Sequence, residues 1–502
     1  MPDLYQELNK LADSEMYPFH MPGHKRNLES TPMKGAFRCD ITEIDGYDNL
    51  HDESGIILEA ENRANALYGS EKTFFLINGS TSGVLASVSA ALSEGDTILA
   101  ARGCHRSFYN AVYLRHLNIV YLPYKSDPVY GIPDCYTKED IREHITNEVK
   151  AVFITSPTYE GKCSDIKGIA DVCHERNIPL IVDAAHGAHL GFGGSGQRSQ
   201  DEYESLPRSA VQQGADLVIH SVHKTLPSMT QTALLHVQGE LIDRNRLKRF
   251  LRIYQSSSPS YVLMSSIDLC IKEMQENGKR YVDRLLNYRN RIQHATNNCR
   301  CLQIPGKSAI DDASKVMIYV RNGTMTGQAL YDILREEYNL QLEMAGDKYA
   351  LAIISGWDTD EGIDRLISAV LEIDAGLAQE SDNKFSVNMN TDTIGSKAPG
   401  AESLEEYALP KISMSIGQAW DSETDVLDFE SAEGRISAEF INLYPPGIPL
   451  ITPGEVFSRE IIQEIRHYLD QNMNVQGLGD ICTVDSAQGM EYRKGFICVK
   501  QK

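Results

Sequence analysis

The sequence has no stretch reaching about 18 consecutive apolar residues, so no membrane-spanning helix is expected. Its opening, MPDLYQELNKLADSE, lacks the basic start and apolar run of a secretory signal, and the cytoplasm is the expected compartment. Positive charge is scarce: 48 Lys and Arg stand against 70 Asp and Glu, a net charge of −22. An acidic chain gains nothing from a phosphate backbone, so nucleic acid is not an expected partner. The acidity favours solubility and is compatible with cationic small molecules, but it identifies none. The ten cysteines follow no metal-binding spacing. The closest pair, Cys299 and Cys301, has no second pair nearby, and zinc usually takes about four well-spaced ligands. Reduced, mostly buried thiols are expected, and no metal. The strand-to-helix segment FFLINGSTSGVLASVSAAL lacks the lysine of GxxxxGK[ST] and lacks GxGxxG, so a nucleoside triphosphate or a dinucleotide is not supported there.

What is present reads as two or three domains, because 502 residues exceed one ordinary core. A short amphipathic helix runs to about Asp13, followed by YPFHMPGHKR, a Pro-Gly turn between histidines. The acid- and glycine-rich CDITEIDGYDNLHDESG reads as an ordered surface or active-site loop. A helix through EAENRANALYG comes next. Short apolar runs then alternate with helical patterns: TFFLI (73–77), DTILA (96–100), NIVYL (118–122), AVFIT (151–155), PLIVD (179–183) and DLVIH (216–220). SGVLASVSAAL and SDIKGIADVCHERN are among the helical segments between them. This alternation predicts an α/β domain with a mostly parallel sheet covered on both faces and right-handed crossovers. KVMIYV, TGQALYDILREEYN, YALAIISG and DEGIDRLISAVLEI then alternate strand and helix in a small α/β module. Much of the polar EIDAGLAQESDNKFSVNMNTDTIGSKAPG reads as a linker. A last unit contains PGEVFSREIIQEIRHYLD and a short strand near GFICV. The expected divisions are 1–55, 56–300, 301–375, a linker 376–405, and 406–502.

Four segments could carry chemistry. In IHSVHKTLPSMTQTALLHV, Ser221, His223 and Lys224 follow the strand that ends near His220. Ligands bind at the carboxyl edge of open α/β sheets, and a lysine there can form an imine with an aldehyde cofactor, although lysines also sit harmlessly after strands. In LIVDAAHGAH, Asp183 ends another strand. An anion there can keep a pyridine nitrogen protonated; a helix cap or a metal ligand is the plainer alternative, and His186 and His189 make zinc conceivable. In FFLINGSTSGVLASVSAAL, Ser80, Thr81 and Ser82 open a helix after a strand, which suits either a phosphate cradle or an ordinary cap. His105 in ARGCHRSFYNAV could stack on a flat ring or simply cap a helix. Taken together, cradle, flat side chain, aspartate and lysine each follow a separate strand. They match the phosphate, ring, ring nitrogen and aldehyde of pyridoxal 5′-phosphate.

The motifs FHMPGHKR, DITEIDGYDNLHDESG, FFLINGSTSG, GCHRSFYNA, VDAAHGAHLGF, IHSVHKTLPSMTQTA, YQSSSPSYVLMSSID and GRISAEFINLYPPGIPLITPGE cover most of the chain. Through them, and most specifically through Pro445, Pro446 and Gly447, the sequence resembles the ornithine/lysine/arginine decarboxylases. It is most similar to their shorter branch, which lacks an N-terminal wing domain. The resemblance implies the aspartate-aminotransferase fold (fold type I): a large cofactor domain, a small α/β domain and a C-terminal domain. It implies Lys224 as the Schiff-base lysine, His223 beside it in proton handling, Asp183 at the pyridine nitrogen and His105 stacked on the ring. It implies Ser80, Thr81, Ser82 and Ser221 at the phosphate, and His186 near the cofactor's phenolic oxygen. It also implies a homodimer or dimer-based assembly with shared sites, in which YQSSSPSY brings Ser257 or Ser258 to a phosphate. Asp40, Glu43, Asp45 and Glu433 are candidates for the substrate's distal cation.

The implied reaction is decarboxylation of a basic L-amino acid, arginine before lysine and ornithine. The rivals are transamination, racemisation or aldol cleavage on the same cofactor, and a non-catalytic binding or regulatory protein.

Overall fold

Strands of the first unit are apolar almost without interruption, which suits a sheet buried on both faces. In the computed structural model, which describes residues 3–29, 31–192, 203–388, 409–443, 448–471, 473–485 and 489–501, they form one seven-stranded sheet. The strands are β1 (Lys72–Leu76), β2 (Thr97–Ala100), β3 (Asn118–Tyr121), β4 (Val149–Thr155), β5 (Leu180–Asp183), β6 (Leu217–His220) and β7 (Ala233–Val237). Their order is β1-β7-β6-β5-β4-β2-β3. Leu180–Val182, Leu217–Ile219 and Val152–Ile154 are fully buried. Each such side chain contributes roughly 1.5–3 kcal/mol of burial. The helix Gly79–Ala91 presses on this sheet at Gly83, where a Cβ would stand 2.6 Å from Leu76 Cδ1.

Six of the strands match the six expected runs. β7 is an addition, antiparallel to both β6 and β1. Because it is flanked by two antiparallel pairings, β1 still points the same way as β2–β6. All six therefore end at one edge.

The 36-residue helix Tyr261–Thr296 joins two cores. Its first half buries Tyr261, Met264, Ile267 and Ile271 against the large unit. Its second half buries Val282, Leu285 and Ile292 in the small one. The small unit is an antiparallel sheet in the order β10-β11-β9-β8, with β8 (Leu302–Gln303), β9 (Lys315–Val320), β10 (Met344–Ala345) and β11 (Tyr349–Ile353). The helices Gly327–Glu336 and Asp360–Asn388 belong to it. The second of these corrects the expected linker start. The chain is helical through residue 388 because Ile373, Leu377 and Ala378 continue the buried stripe of Leu366, Ala369 and Val370. Residues 389–408 lie outside the described part.

The C-terminal unit has two three-stranded sheets, β12-β17-β16 and β14-β13-β15. Its strands are β12 (Thr424–Leu427), β13 (Ile441–Leu443), β14 (Ile448–Ile451), β15 (Val475–Gln476), β16 (Leu478–Asp485) and β17 (Gly489–Val499), with the helix Arg459–Asp470 beside them. The strand expected near GFICV is thus much longer, a partner of both β12 and β16. A buried ion pair, Arg102 Nη2 to Glu455 Oε2 at 2.8 Å, ties this unit to the large one. Among the described residues no helix is long and apolar enough to cross a membrane. None of the nine cysteines whose side chains are described is in a disulfide.

Candidate active site

Strand β6 ends at His220, and Ser221 caps the one-turn helix Val222–Thr225. Lys224 is thereby set at the carboxyl edge of the sheet, half-buried, with Nζ 3.0 Å from His186 Nε2. Burial pushes its ammonium below the usual lysine range. Asp183 resists that shift, and the cation of Lys315 adds to it. A lysine so placed keeps more free amine near neutral pH, which an attack on a carbonyl requires.

Asp183 ends β5, which lies between β4 and β6. It is almost fully buried, and its Oδ1 accepts the N–H of Ala185 at 3.1 Å. His186 follows in the same loop. Burial, then the charges of Lys224 and Lys315, hold its ring far below the ordinary histidine value, so it is neutral. Its Nδ1 has no hydrogen-bond partner. His189 turns away from His186: its Nε2 meets Asp312 Oδ1 at 2.8 Å, so the two histidines do not pair as a zinc site would need.

His105 caps the helix Arg106–Leu114, with Nδ1 accepting from Ser107 N at 3.2 Å. Burial lowers its pKa, Asp183 opposes and Lys224 adds to the lowering. The cap and the charge environment therefore coexist on one residue. His223 donates from Nδ1 to Thr232 O at 2.8 Å, which leaves Nε2 available.

Ser80 and Thr81 lie at the first turn of the helix Gly79–Ala91. Gly79 enters that turn at φ +75°, a left-handed conformation natural to glycine. Ser82 differs from them. It is buried, and its hydroxyl donates to Gly79 O at 2.8 Å, so its hydroxyl proton is already committed. Ser221 is fully buried, and among the described residues its Oγ has no partner. Such a hydroxyl costs about 1–3 kcal/mol unless something binds it. Ser257 and Ser258 are exposed. The neighbouring Ser256 donates its N–H to Asn78 Oδ1 at 3.3 Å, which sets the serine loop beside the same helix start.

A cavity of about 170 Å³ opens beside Thr81 and His105, and Asn442 and Gln476 of the C-terminal unit close its far side. Asn442 is buried, and among the described residues its Oδ1 has no partner. The proposed cation acceptors are not gathered here. Asp40 meets His24 Nε2 at 3.1 Å, Glu433 meets Arg459 Nε at 3.4 Å, and Glu43 acts on Tyr261. Among the described residues none of these, nor Asp45, bonds to Lys224, Asp183, His105 or His186. The acidic loop has a local task instead: Asp48 accepts the N–H groups of Ser54, Gly55 and Ile57 and so caps the helix Ile56–Tyr68. Pro445, Pro446 and Gly447 lie outside the described residues.

Two residues were not singled out from the sequence. Tyr159, after β4, stands with its ring centroid 4.4 Å from that of His186, and its hydroxyl donates to Glu343 of the small unit. A polar tail after a strand, TSPTYEG, was the available signal for the first. Nothing local marks the second.

Residues 2–356 match the family of the Orn/Lys/Arg decarboxylase major domain, and residues 402–477 match that family's C-terminal domain. The chain belongs to the Orn/Lys/Arg decarboxylase family. This decarboxylase is 30% identical over 480 residues to the arginine decarboxylase of Bacillus anthracis, covering 92% of each chain. It is also 30% identical to the arginine decarboxylase of Bacillus subtilis, covering 95% of each. Among solved structures it is similar to the lysine decarboxylase LdcF of Francisella novicida, with a TM-score of 0.78 at 18% identity, over all of this chain and 81% of that one. The decarboxylase thus has the α/β fold of that enzyme, with a large mixed sheet and an additional C-terminal domain. Pyridoxal phosphate is the cofactor on which the family depends.

Proposed function

We propose that this decarboxylase removes the α-carboxylate of a basic L-amino acid, arginine in preference to lysine or ornithine, with pyridoxal 5′-phosphate held at the edge formed by β1, β2, β5 and β6. The observation that carries this is the set of polar groups left without partners at that edge. Among the described residues Ser221 Oγ and His186 Nδ1 are buried without a hydrogen-bond partner, and Lys224 Nζ bonds only to the neutral His186. Such groups fit a ligand with a phosphate, a polar ring and a carbonyl. The choice of arginine is supported by the names of the two relatives at 30% identity.

When bound, the cofactor supplies an aldehyde that takes up an amine and a protonated ring that draws electrons from Cα. The chain's own residues do the rest. Lys224 offers Nζ as the amine and later as a proton carrier. Asp183 holds a proton at the ring nitrogen. Ser80, Thr81 and Ser221, with the free N–H groups of the first helical turn, hold the phosphate. His105 would pack against the ring. Ser82 contributes its backbone only. His223, free at Nε2, carries a proton to or from Cα.

The working form is a homodimer, with Ser257 and Ser258 reaching the neighbour's phosphate. Exposed serines beside Asn78 support this. So does an N-terminal stretch that leaves Met16, Tyr17, Phe19 and Met21 between 65% and 88% exposed, a patch that a second copy would cover. Steady-state kcat/KM for arginine, lysine and ornithine, with the released amine identified, tests the reading. Arginine is expected to exceed lysine, giving carbon dioxide and agmatine. Lysine ahead by about tenfold, roughly 1.4 kcal/mol, reverses the order. Formation of a keto acid in place of an amine overturns the decarboxylation.

A further inference from the structure

Among the described residues β1 is an edge strand, paired with β7 on one side alone. An open edge carries unpaired N–H and C=O groups, and burying them without partners is costly. Here side chains stand in for the missing strand. Phe75 N–H donates to Glu61 Oε1 at 3.0 Å. Two positions on, Ile77 N–H donates to Gln255 Oε1 at 2.9 Å, and Gln255 Nε2 donates to Phe75 O at 3.3 Å. One buried amide thus accepts from one residue and donates to another two positions away, as a residue of a neighbouring strand would. Ile77 O accepts from Gln231 Nε2 at 2.5 Å, which satisfies the last of the four groups.

Gln255 also ends the helix Arg244–Tyr254 and opens the serine loop. The next residue, Ser256, donates its N–H to Asn78 Oδ1 at 3.3 Å, and its carbonyl accepts from His51 Nε2 at 2.7 Å. Asn78 stands where an asparagine would ordinarily cap the helix Gly79–Ala91, yet among the described residues its side chain makes no cap bond. It turns to the serine loop instead, and so does not occupy the N–H groups of the first turn.

We propose that Gln255 is a positioning residue for the cofactor's phosphate. Its side chain fixes the end of β1, from which Ser80 and Thr81 follow, and its backbone fixes the start of the serine loop. This rests on the site proposed above, in which both segments meet a phosphate. A helix start binds phosphate through N–H groups whose directions depend on how the preceding strand delivers the chain. A cradle and a loop already set in place lose less freedom when the ligand arrives. Lys224 follows β6, which β7 separates from β1, so the amide acts on the phosphate end of the cofactor and not on the aldehyde end.

Gln255→Met keeps the length and bulk of the side chain and removes both hydrogen bonds. The full-length apoprotein is titrated with pyridoxal 5′-phosphate and with pyridoxal, which has the ring and aldehyde but no phosphate, and imine absorption reports each affinity. Affinity for pyridoxal 5′-phosphate should weaken by about tenfold or more, roughly 1.4 kcal/mol, while that for pyridoxal changes by less than about twofold. Should that variant not fold, Gln255→Glu repeats the comparison. It keeps an acceptor for Ile77 N–H and, ionised, loses the donor to Phe75 O, and a loss confined to the phosphorylated ligand is again expected. An equal loss for both ligands overturns the assignment, because it makes the role one of general support. Unchanged affinity for pyridoxal 5′-phosphate overturns it as well. A wild-type protein that forms an imine with neither ligand instead removes the site on which the proposal stands.

Discussion

Two lysines, Lys315 fully buried and Lys224 half-buried, lie within electrostatic reach of each other and are treated in opposite ways. Lys315 opens β9 with no exposure at all. Its Nζ is held by Asp312 Oδ2 at 3.0 Å and by Ser314 Oγ at 2.8 Å. Burial pushes the Asp312 carboxyl up, but His189 and Lys315 outweigh that and hold it well below the usual carboxylate range. Among the described residues Lys224 has no carboxylate bonded to it, only the neutral His186, and its own pKa is depressed by burial. The difference teaches how a fold separates support from chemistry. A lysine satisfied by an acid and a hydroxyl is held in place and, through Asp312, fastens the small unit to His189 of the large one. A lysine denied such partners stays available to react. A buried charge stripped of its partner is costly, so the first arrangement resists change and the second accepts it.

The sharpest way to break this comparison is to remove each lysine in turn. Lys224→Ala should lower turnover on the order of 10⁴-fold or more, the scale of losing a covalent nucleophile. The fold should be retained, and the visible absorption band of the lysine-bound cofactor, expected near roughly 410–430 nm, should be absent. Steady-state assays and a spectrum check both, and a variant that keeps its turnover removes Lys224 from the chemistry. Lys315→Met should do the reverse. Stability to denaturant should drop by about 3–5 kcal/mol, because the buried Asp312 loses one of its two side-chain ion-pair partners. A Lys315→Met protein as stable as wild type would mean that the Asp312 centre carries no support.

The smallest effect concerns a third buried polar group. His220 and His236 lie side by side between β6 and β7, His236 Nε2 3.1 Å from His220 Nδ1, and neither is exposed. Burial holds His220 down at about 3, so it is neutral in the fold. An unfolded histidine titrates near 6.5. A depressed pKa gives a contribution that is complete above pH 6.5 and is lost as pH falls toward 3, because the unfolded chain then binds the extra proton. In His220→Gln the slope of stability against pH between about 6 and 4 should be shallower by up to one proton, about 1.4 kcal/mol per pH unit. Parallel slopes in wild type and variant would show that His220 does not titrate differently on unfolding.

The large unit was legible because a parallel sheet writes itself locally. Each strand is a short apolar run, and each run is followed by the residue that the sheet edge exposes. Asp183 could therefore be placed at the end of PLIVD, and Lys224 just beyond DLVIH, from their neighbours alone. β7 escaped notice. ALLHV lies within a segment read for its lysine, and an antiparallel return leaves no helix to mark it. The linker was read as starting too early because a polar helix surface resembles a linker in composition, and the buried Ile373, Leu377 and Ala378 betray the continuing helix.

What the sequence determined by itself is the set of groups at strand ends, since chain direction and strand length dictate which residues meet at the edge. What only the tertiary structure decided are the contacts between distant segments. Tyr159 and Glu343 are 184 positions apart, and His189 and Asp312 are 123 apart. The docking of the small unit on the large one brings each pair together. No local periodicity encodes such a meeting, because it depends on how two separately packed cores come to lie against each other. The candidate acids Asp40 and Glu433 were plausible for the same reason that they were unplaceable: charge is visible in a sequence, and its partner is not.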